Sequence, residues 1–241
     1  MDEDASGLDY ALLDNHVRLL DKVACLTYQS VYIIDYYRRS FAYVSNNPLF
    51  LCGLKAKEVE WLGYAFYLKF VPLEDLELLL AINEAGFHFF GTIPLGKRMD
   101  YNISYDFRMK QPKSGHTLLV NHKLTPLELD KSGNMWLALC VVSTSSNDSS
   151  GNIFIRERGN KSVFKYDMAT RRWLSQDNLK LTTMEKEILL LSIQGPTSGE
   201  IARQLSLSVN TIKYHRKRIL KKMDVSNMAE ALAYASNSKL I

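Results

Sequence analysis

Four helix-start signals crowd into the last sixty or so residues, and they constrain that segment to a small all-helical unit. Thr182 and Glu185 make a capping box, in which the hydroxyl covers one free backbone N–H and the carboxylate reaches back to another. Met184, Ile188 and Leu191 follow at helical spacing, and Gly195-Pro196 stops the helix. Thr197 and Glu200 open a second helix with Ile201, Ala202 and Leu205 turned inward. A tight link at Ser206-Leu207 leads to Ser208, a good N-cap for a third. Asn227 and Glu230 begin a fourth, with Met228, Leu232 and Ala235 on one face.

The third of these helices is chemically one-sided. Val209, Ile212, Ile219, Leu220 and Met223 form an apolar stripe that must face a core. The opposite side presents Asn210, Lys213, Tyr214, Lys217 and Lys221, flanked by Arg216, Arg218 and Lys222, with no acidic residue among them. The chain carries a net charge of +4, and the position of that charge is informative. From Leu181 onward there are nine Lys and Arg against five Asp and Glu, so residues 1–180 hold 21 of each sign. All the excess positive charge lies in the last quarter, a pattern that points to a nucleic-acid partner. An apolar inner edge and a cationic outer edge suit the major groove of duplex DNA. The small Ala202, the short turn and Ile212 ten residues later suit the close crossing of a helix-turn-helix.

Leu181-Thr182-x-x-Glu185-x-Glu187-Ile188-Leu189, Glu200-Ile201-Ala202, Ser208-x-x-Thr211-Ile212-Lys213-x-His215 and Ile219-x-x-Lys222-Met223-x-Val225-Ser226-Asn227 together resemble the LuxR-type helix-turn-helix domain. The resemblance implies that the third helix enters the major groove, with Lys213, Tyr214 and Lys217 at base-reading positions. It implies backbone contacts for Thr211, Arg218, Lys221 and Lys222, and a packing or bracing role for His215. A homodimer follows, its face including Met228, Leu232 and Ala235, with double-stranded DNA and RNA polymerase as partners. Ser206 departs from the glycine common in such turns, and Met184 from a position often charged. Region 4 of a sigma factor is the main rival for this segment. The other class of reading is a scaffold whose basic helix meets an acidic protein.

Upstream, Asp9 to Ala24 reads as an amphipathic helix carrying Leu12, Leu13, Val17, Leu20, Val23 and Ala24. It packs on its own sheet or on a second copy, and the residues alone do not choose. Ser30 to Asp35 and Phe41 to Val44 read as strands, followed by short helices to Phe70 and a longer one from Pro72 to Phe90. Asp100 to Lys110, Thr117 to Glu128 and Met135 to Ser143 read as three more strands, joined by Pro112-Lys113-Ser114-Gly115 and Lys131-Ser132-Gly133-Asn134. With Phe41-x-Tyr43-x-Ser45-Asn46-Asn47 and Val71-Pro72-x-Glu74-Asp75, this order resembles a PAS sensory domain. The fold class is therefore α+β, a PAS-like five-stranded antiparallel sheet with helices, followed by a four-helix helix-turn-helix domain. The boundaries expected are 1–24 for the first helix, 25–146 for the PAS-like domain, 147–177 for a linker and 178–241 for the DNA-binding domain. The linker reading rests on the polar run Ser143 to Gly151, with Phe154/Arg156 and Val163/Lys165 around Gly159-Asn160 as a hairpin and Arg171 to Leu174 as a further strand.

No cofactor is expected. His88 stands where some haem-binding PAS domains place a ligand, but it is a lone histidine among Phe87, Phe89 and Phe90. Cys52 lacks the neighbours of a flavin-binding light sensor. Tyr64, Phe66, Tyr67 and Phe70 read as core, with room for a small-molecule ligand that the sequence does not identify. His116 and His122 read as lying on or beside a surface strand. No P-loop, GxSxG, HExxH or dinucleotide-binding glycine pattern occurs, and the alternating βα units of a phosphoacceptor receiver are missing, so a non-enzymatic regulator is expected. Cys25, Cys52 and Cys140 show no metal-ligand spacing and suit a reducing, cytoplasmic setting. The acidic start Met1-Asp2-Glu3-Asp4 argues against an export signal, and no apolar run approaches the roughly 20 residues of a membrane span.

Overall fold

The structure is a computed structural model that describes residues 8–112, 115–159, 162–177, 179–223, 225–237 and 240–241. The acidic start, Lys113 and Ser114 of the first strand connection, and Asn160 of the hairpin turn lie outside the described residues. The chain divides into two compact units, residues 1–176 and 177–241.

The first unit is built on an eight-stranded sheet. Helix α1 spans Tyr10–Ala24, and β1 (Ser30–Asp35) and β2 (Ser40–Val44) follow. Four helices come next, α2 (Pro48–Leu51), α3 (Ala56–Leu62), α4 (Ala65–Phe70) and α5 (Leu73–Thr92). Then come β3 (Tyr101–Lys110), β4 (Thr117–Leu129), β5 (Met135–Thr144), β6 (Gly151–Glu157), β7 (Ser162–Asp167) and β8 (Arg172–Asp177). The sheet order is β2-β1-β5-β4-β3-β6-β7-β8, so the five strands expected of a PAS-like fold lie side by side at one end.

β1 is buried on both faces because its alternating side chains serve two layers. Tyr32 and Ile34 join the core beneath α2–α5, with Phe41, Phe50, Phe66 and Phe107. Val31 and Ile33 face the other way, and pack with Tyr43, Trp136 and Leu137 against Leu13 and Leu20 of α1. Helix α1 therefore packs on its own sheet, while Leu12 and Val23, which the sequence placed on the same apolar face, are 39% and 43% exposed. Tyr10 pins the start of α1, its hydroxyl donating to Asp35 Oδ2 at 3.1 Å and its ring edge-on to Trp136.

Two expectations fail here, for one physical reason. His122 lies inside the unit, because β4 turns it to the same face as Val120 and Leu124. Its Nε2 lies 2.6 Å from the Tyr32 hydroxyl, which lies 2.8 Å from that of Tyr67. Residues 147–177, expected as a linker, continue the sheet: β6 pairs with β3, and β7 with β6. The hairpin register matches Phe154 with Lys165 and Arg156 with Val163. The polar run before β6 is held by two inward carboxylates. Asp106 accepts from the side-chain amides of Asn121, Asn147 and Asn152 at 2.7, 2.5 and 2.9 Å. Asp75 accepts from the Ser150 hydroxyl at 2.7 Å and from the backbone and guanidinium of Arg108. A solvent-like composition is thus ordered by buried acceptors, which no local sequence signal reveals.

Among the described residues the second unit has four helices, α6 (Thr183–Ser192), α7 (Ser198–Gln204), α8 (Val209–Met223) and α9 (Met228–Asn237). Ile188, Leu189, Ile201, Ala202, Ile212, Ile219, Met223, Ala231 and Ala235 form its core. The capping boxes at Thr182/Glu185 and Thr197/Glu200 are both made, and Asn227 Oδ1 accepts from the Glu230 backbone N–H at 3.0 Å. Among the described residues no helix is long and apolar enough to cross a membrane.

Candidate nucleic-acid interface

The α7–α8 corner sets the direction of α8. Ser206 takes φ +54°, the left-handed conformation that glycine adopts most easily, and the Leu207 N–H donates to the Ala202 carbonyl at 2.9 Å. Ala202 is 3% exposed, and its small side chain lets α8 cross close to α7. Ser208 Oγ then accepts from the Thr211 N–H at 3.0 Å and caps α8.

Ile212, Ile219 and Met223 anchor α8 in the core. Turned away from them, Asn210, Lys213, Tyr214, Lys217 and Lys221 are all exposed. From 210 to 221 they run along one side for roughly 16 Å at 1.5 Å per residue. The Tyr214 ring lies edge-on to His215, and the Arg218 guanidinium sits 5.7 Å from its centroid. His215 is half-buried.

Not every cation of α8 belongs to this edge. Arg216 falls one turn after Ile212 and three residues before Ile219, so it points into the unit. Its guanidinium donates to Ser198 Oγ, Ser192 Oγ and the Pro196 carbonyl at 3.0, 3.3 and 3.1 Å. Lys222 donates to Glu185 Oε2 at 2.6 Å and to the Lys180 carbonyl at 3.1 Å, so it is not the free backbone-contacting cation expected. Arg218 is shared, with Nε 3.6 Å from Glu185 Oε1 and the side chain 44% exposed. Thr211 Oγ1 lies 2.8 Å from the capping Ser208 hydroxyl. Val209, expected in the apolar stripe, is 42% exposed.

Glu185 is the residue that sequence reasoning undervalued. It is a cap for α6 and also a fully buried counter-ion that ties α6 to the last turns of α8. Burial pushes its carboxyl up, but Lys222 and the Thr182 N–H and hydroxyl outweigh that and hold it below the usual range. The helical repeat gave the signal for Arg216, since 212, 216, 219 and 223 share one face. The Glu185 pairing had no such signal, because it joins residues 37 apart. On α9, Ala235 is fully buried in the unit's own core, which removes it from the expected dimer face. Met228 and Leu232 are half-buried against the same core.

Residues 179–235 match the family described as bacterial regulatory proteins, luxR family, so the second unit carries a LuxR-family helix-turn-helix domain. The regulatory protein SdiA of Escherichia coli is 40% identical over 63 residues, 26% of each chain. The transcriptional regulatory protein LiaR of Bacillus subtilis is 41% identical over 61 residues, 25% of this chain and 29% of its own. The match thus spans between a quarter and a third of the length of the first of the curated relatives. Over most of the chain it is similar to VqmA of Vibrio cholera in a ligand and DNA complex, at 15% identity and TM-score 0.36, covering 92% of this chain and 87% of that one.

Proposed function

We propose that this chain is a sequence-specific, duplex-DNA-binding transcription regulator whose PAS-like unit controls the DNA-binding unit. One observation carries the reading: α8 is fixed by its core face while Lys213, Tyr214, Lys217 and Lys221 stand exposed along one edge. An edge of this kind can enter the major groove, where lysine recognises guanine O6 and N7 and tyrosine adds contact area. Lys213, Tyr214 and Lys217 read bases, and Lys221 and Arg218 contact phosphates. Lys222 and Arg216 brace α8, which reduces the number of cations that release counter-ions on binding.

The matched relatives SdiA and LiaR are named as regulators, which supports the same reading. The protein acts as a homodimer on two half-sites about one helical turn apart, in the cytoplasm and with RNA polymerase as its effector. Met228 and Leu232 remain at the α9 face as dimer candidates. The PAS-like unit biases DNA binding by favouring one of two states of the protein. The decisive test is competition binding by the full chain with Lys213→Ala and Lys217→Ala combined. Preference for the cognate site over random duplex should disappear, and preference retained by this variant would refute the assigned edge. Lys221→Ala should weaken binding to every sequence and lower the salt slope by about one unit, whereas Lys222→Ala should change the slope little.

A further inference from the structure

The first unit contains a cleft of about 470 Å³ between α4 and α5, within the range of small-molecule sites. Its lips are apolar and uncovered, with Leu68 71% and Leu80 70% exposed, and Leu79 lines its wall. Its floor is polar in a specific way. Tyr36 and Tyr105 line it, and neither hydroxyl has a hydrogen-bond partner among the described residues. Tyr105 is 7% exposed, and its hydroxyl, unpaired within the protein, opens to the cleft, where an occupant or water can accept from it. Arg39 is the one charged side chain in the lining, and it has neither an ion-pair nor a hydrogen-bond partner among the described residues. It also holds φ +50°, where glycine or asparagine would sit with less strain.

The donor set selects the ligand chemistry. Burial raises both tyrosines well above the usual phenol range, so their hydroxyls stay protonated and donate. A guanidinium only donates. No acidic side chain lines the cleft among the described residues, so an ammonium group would find no counter-charge. A phosphate dianion needs more than one cation. Tyr64 and Asn83 also line the cleft and can add hydrogen bonds, but Arg39 is its single cation, and a single carboxylate, with acceptor sites on two oxygens, matches that arginine together with the phenols.

We propose that this cleft binds a small carboxylate with an apolar body, its charged end held by Arg39, Tyr36 and Tyr105 and its body lying between α4 and α5. This deepens the reading of the PAS-like unit as the sensory part of a regulator, and it rests on that reading for its biological meaning. The available volume suits about 10 to 16 non-hydrogen atoms.

The experiment is calorimetric titration of the full chain with decanoate, below its self-association range, and with decan-1-ol as the uncharged match. Decanoate should bind at least tenfold more tightly than the alcohol. Arg39→Gln should bring decanoate down to the alcohol's affinity and leave the alcohol unchanged, and Arg39→Lys should restore part of the difference. Tyr105→Phe should weaken decanoate several-fold. Equal binding of alcohol and acid, no binding of either, or an unaltered Arg39→Gln titration would each overturn the proposal. Duplex-DNA binding is measured on the same preparations. If decanoate fails while Lys213- and Lys217-dependent DNA binding persists, the ligand class is wrong and the regulator reading stands. If decanoate binds while DNA binding is absent, the regulator reading falls and the cleft remains.

Discussion

The sheet unit and the helical unit bury their polar groups among different kinds of neighbour. In the helical unit the buried carboxylate, Glu185, faces cations, with Lys222 at 2.6 Å and Arg218 at 3.6 Å. In the sheet unit Asp75 is likewise paired with a cation, Arg108, but Asp106 faces three neutral asparagine amides, and His122 faces the Tyr32 hydroxyl and aromatic rings. Burial is the first cause acting on Glu185, Asp106 and His122, but of these only Glu185 has enough positive charge to reverse it. Asp106 is left with its carboxyl raised, and His122 is lowered to about 3 and stays neutral. The lesson is that Glu185 is set against charge loss and Asp106 and His122 against charge gain, while Asp75, held down by Arg108, behaves within the sheet unit as Glu185 does, so acid should affect these groups in different ranges.

The largest effect that would break this contrast is removal of the helical unit's counter-ion. Glu185→Ala should cost about 3 kcal/mol, since it leaves the partly buried Lys222 ammonium and the Thr182 N–H without their acceptor. Urea unfolding followed by far-ultraviolet circular dichroism measures the loss, and a change under 1 kcal/mol would mean that the pair only decorates the surface. In the wild-type chain this contribution is present above the ordinary glutamate range, because the folded value is the lower one, and it disappears as pH falls through that folded value.

Acidification to pH 5 comes next. An unfolded histidine titrates near 6.5 and His122 near 3, so the folded state binds fewer protons as pH falls and the sheet unit loses about 2 kcal/mol between pH 7 and 5. All three tryptophans, Trp61, Trp136 and Trp173, lie in that unit, so indole fluorescence during urea unfolding reports it alone. His122→Phe should remove most of the pH dependence, and a slope unchanged in that variant would assign it elsewhere. Asp106 runs the opposite way, its contribution fullest below the ordinary aspartate range and lost as pH rises through its raised value.

Asp106→Ala should cost roughly 1 to 2 kcal/mol, less than three charged hydrogen bonds because Asn147 is exposed and Asn121 and Asn152 only half-buried, so the freed amides regain water. Limited proteolysis should then cut within residues 145–150 much faster than in the wild type, and an unchanged rate would show that the segment is ordered by something else. The smallest effect concerns the α7–α8 corner. Ser206→Gly should stabilise the helical unit by about 0.5 kcal/mol, the relief of a left-handed serine less the entropy of glycine in the unfolded chain. Circular dichroism in urea would register this as a slightly higher midpoint, and a lower one would show that the turn is not strained.

The helical unit was largely legible because its signals are local. Capping boxes span three residues, and the stripe of Ile212, Ile219 and Met223 repeats within one helix. Even the inward turn of Arg216 follows from that repeat. In the sheet unit the strands were legible from alternation and turn residues, and most of their bounds agree within a residue or two. What failed was the environment of single polar residues. His122 has an ordinary strand context, and Ser143 to Gly151 has an ordinary loop composition, yet one is core and the other is tied to Asp75 and Asp106.

From the sequence alone came the two-part composition, the positions of the helices and strands, and the concentration of positive charge on one helix. Each depends on interactions within a few residues, where period, capping and charge are written directly into the chain. The three-dimensional structure decided which cations of α8 remain free, that β6 to β8 extend the sheet, and that Arg39, Tyr36 and Tyr105 share one cleft. Those outcomes depend on groups far apart in sequence. A buried polar atom must find a partner wherever folding brings one within about 3 Å, and no local pattern specifies which residue that will be.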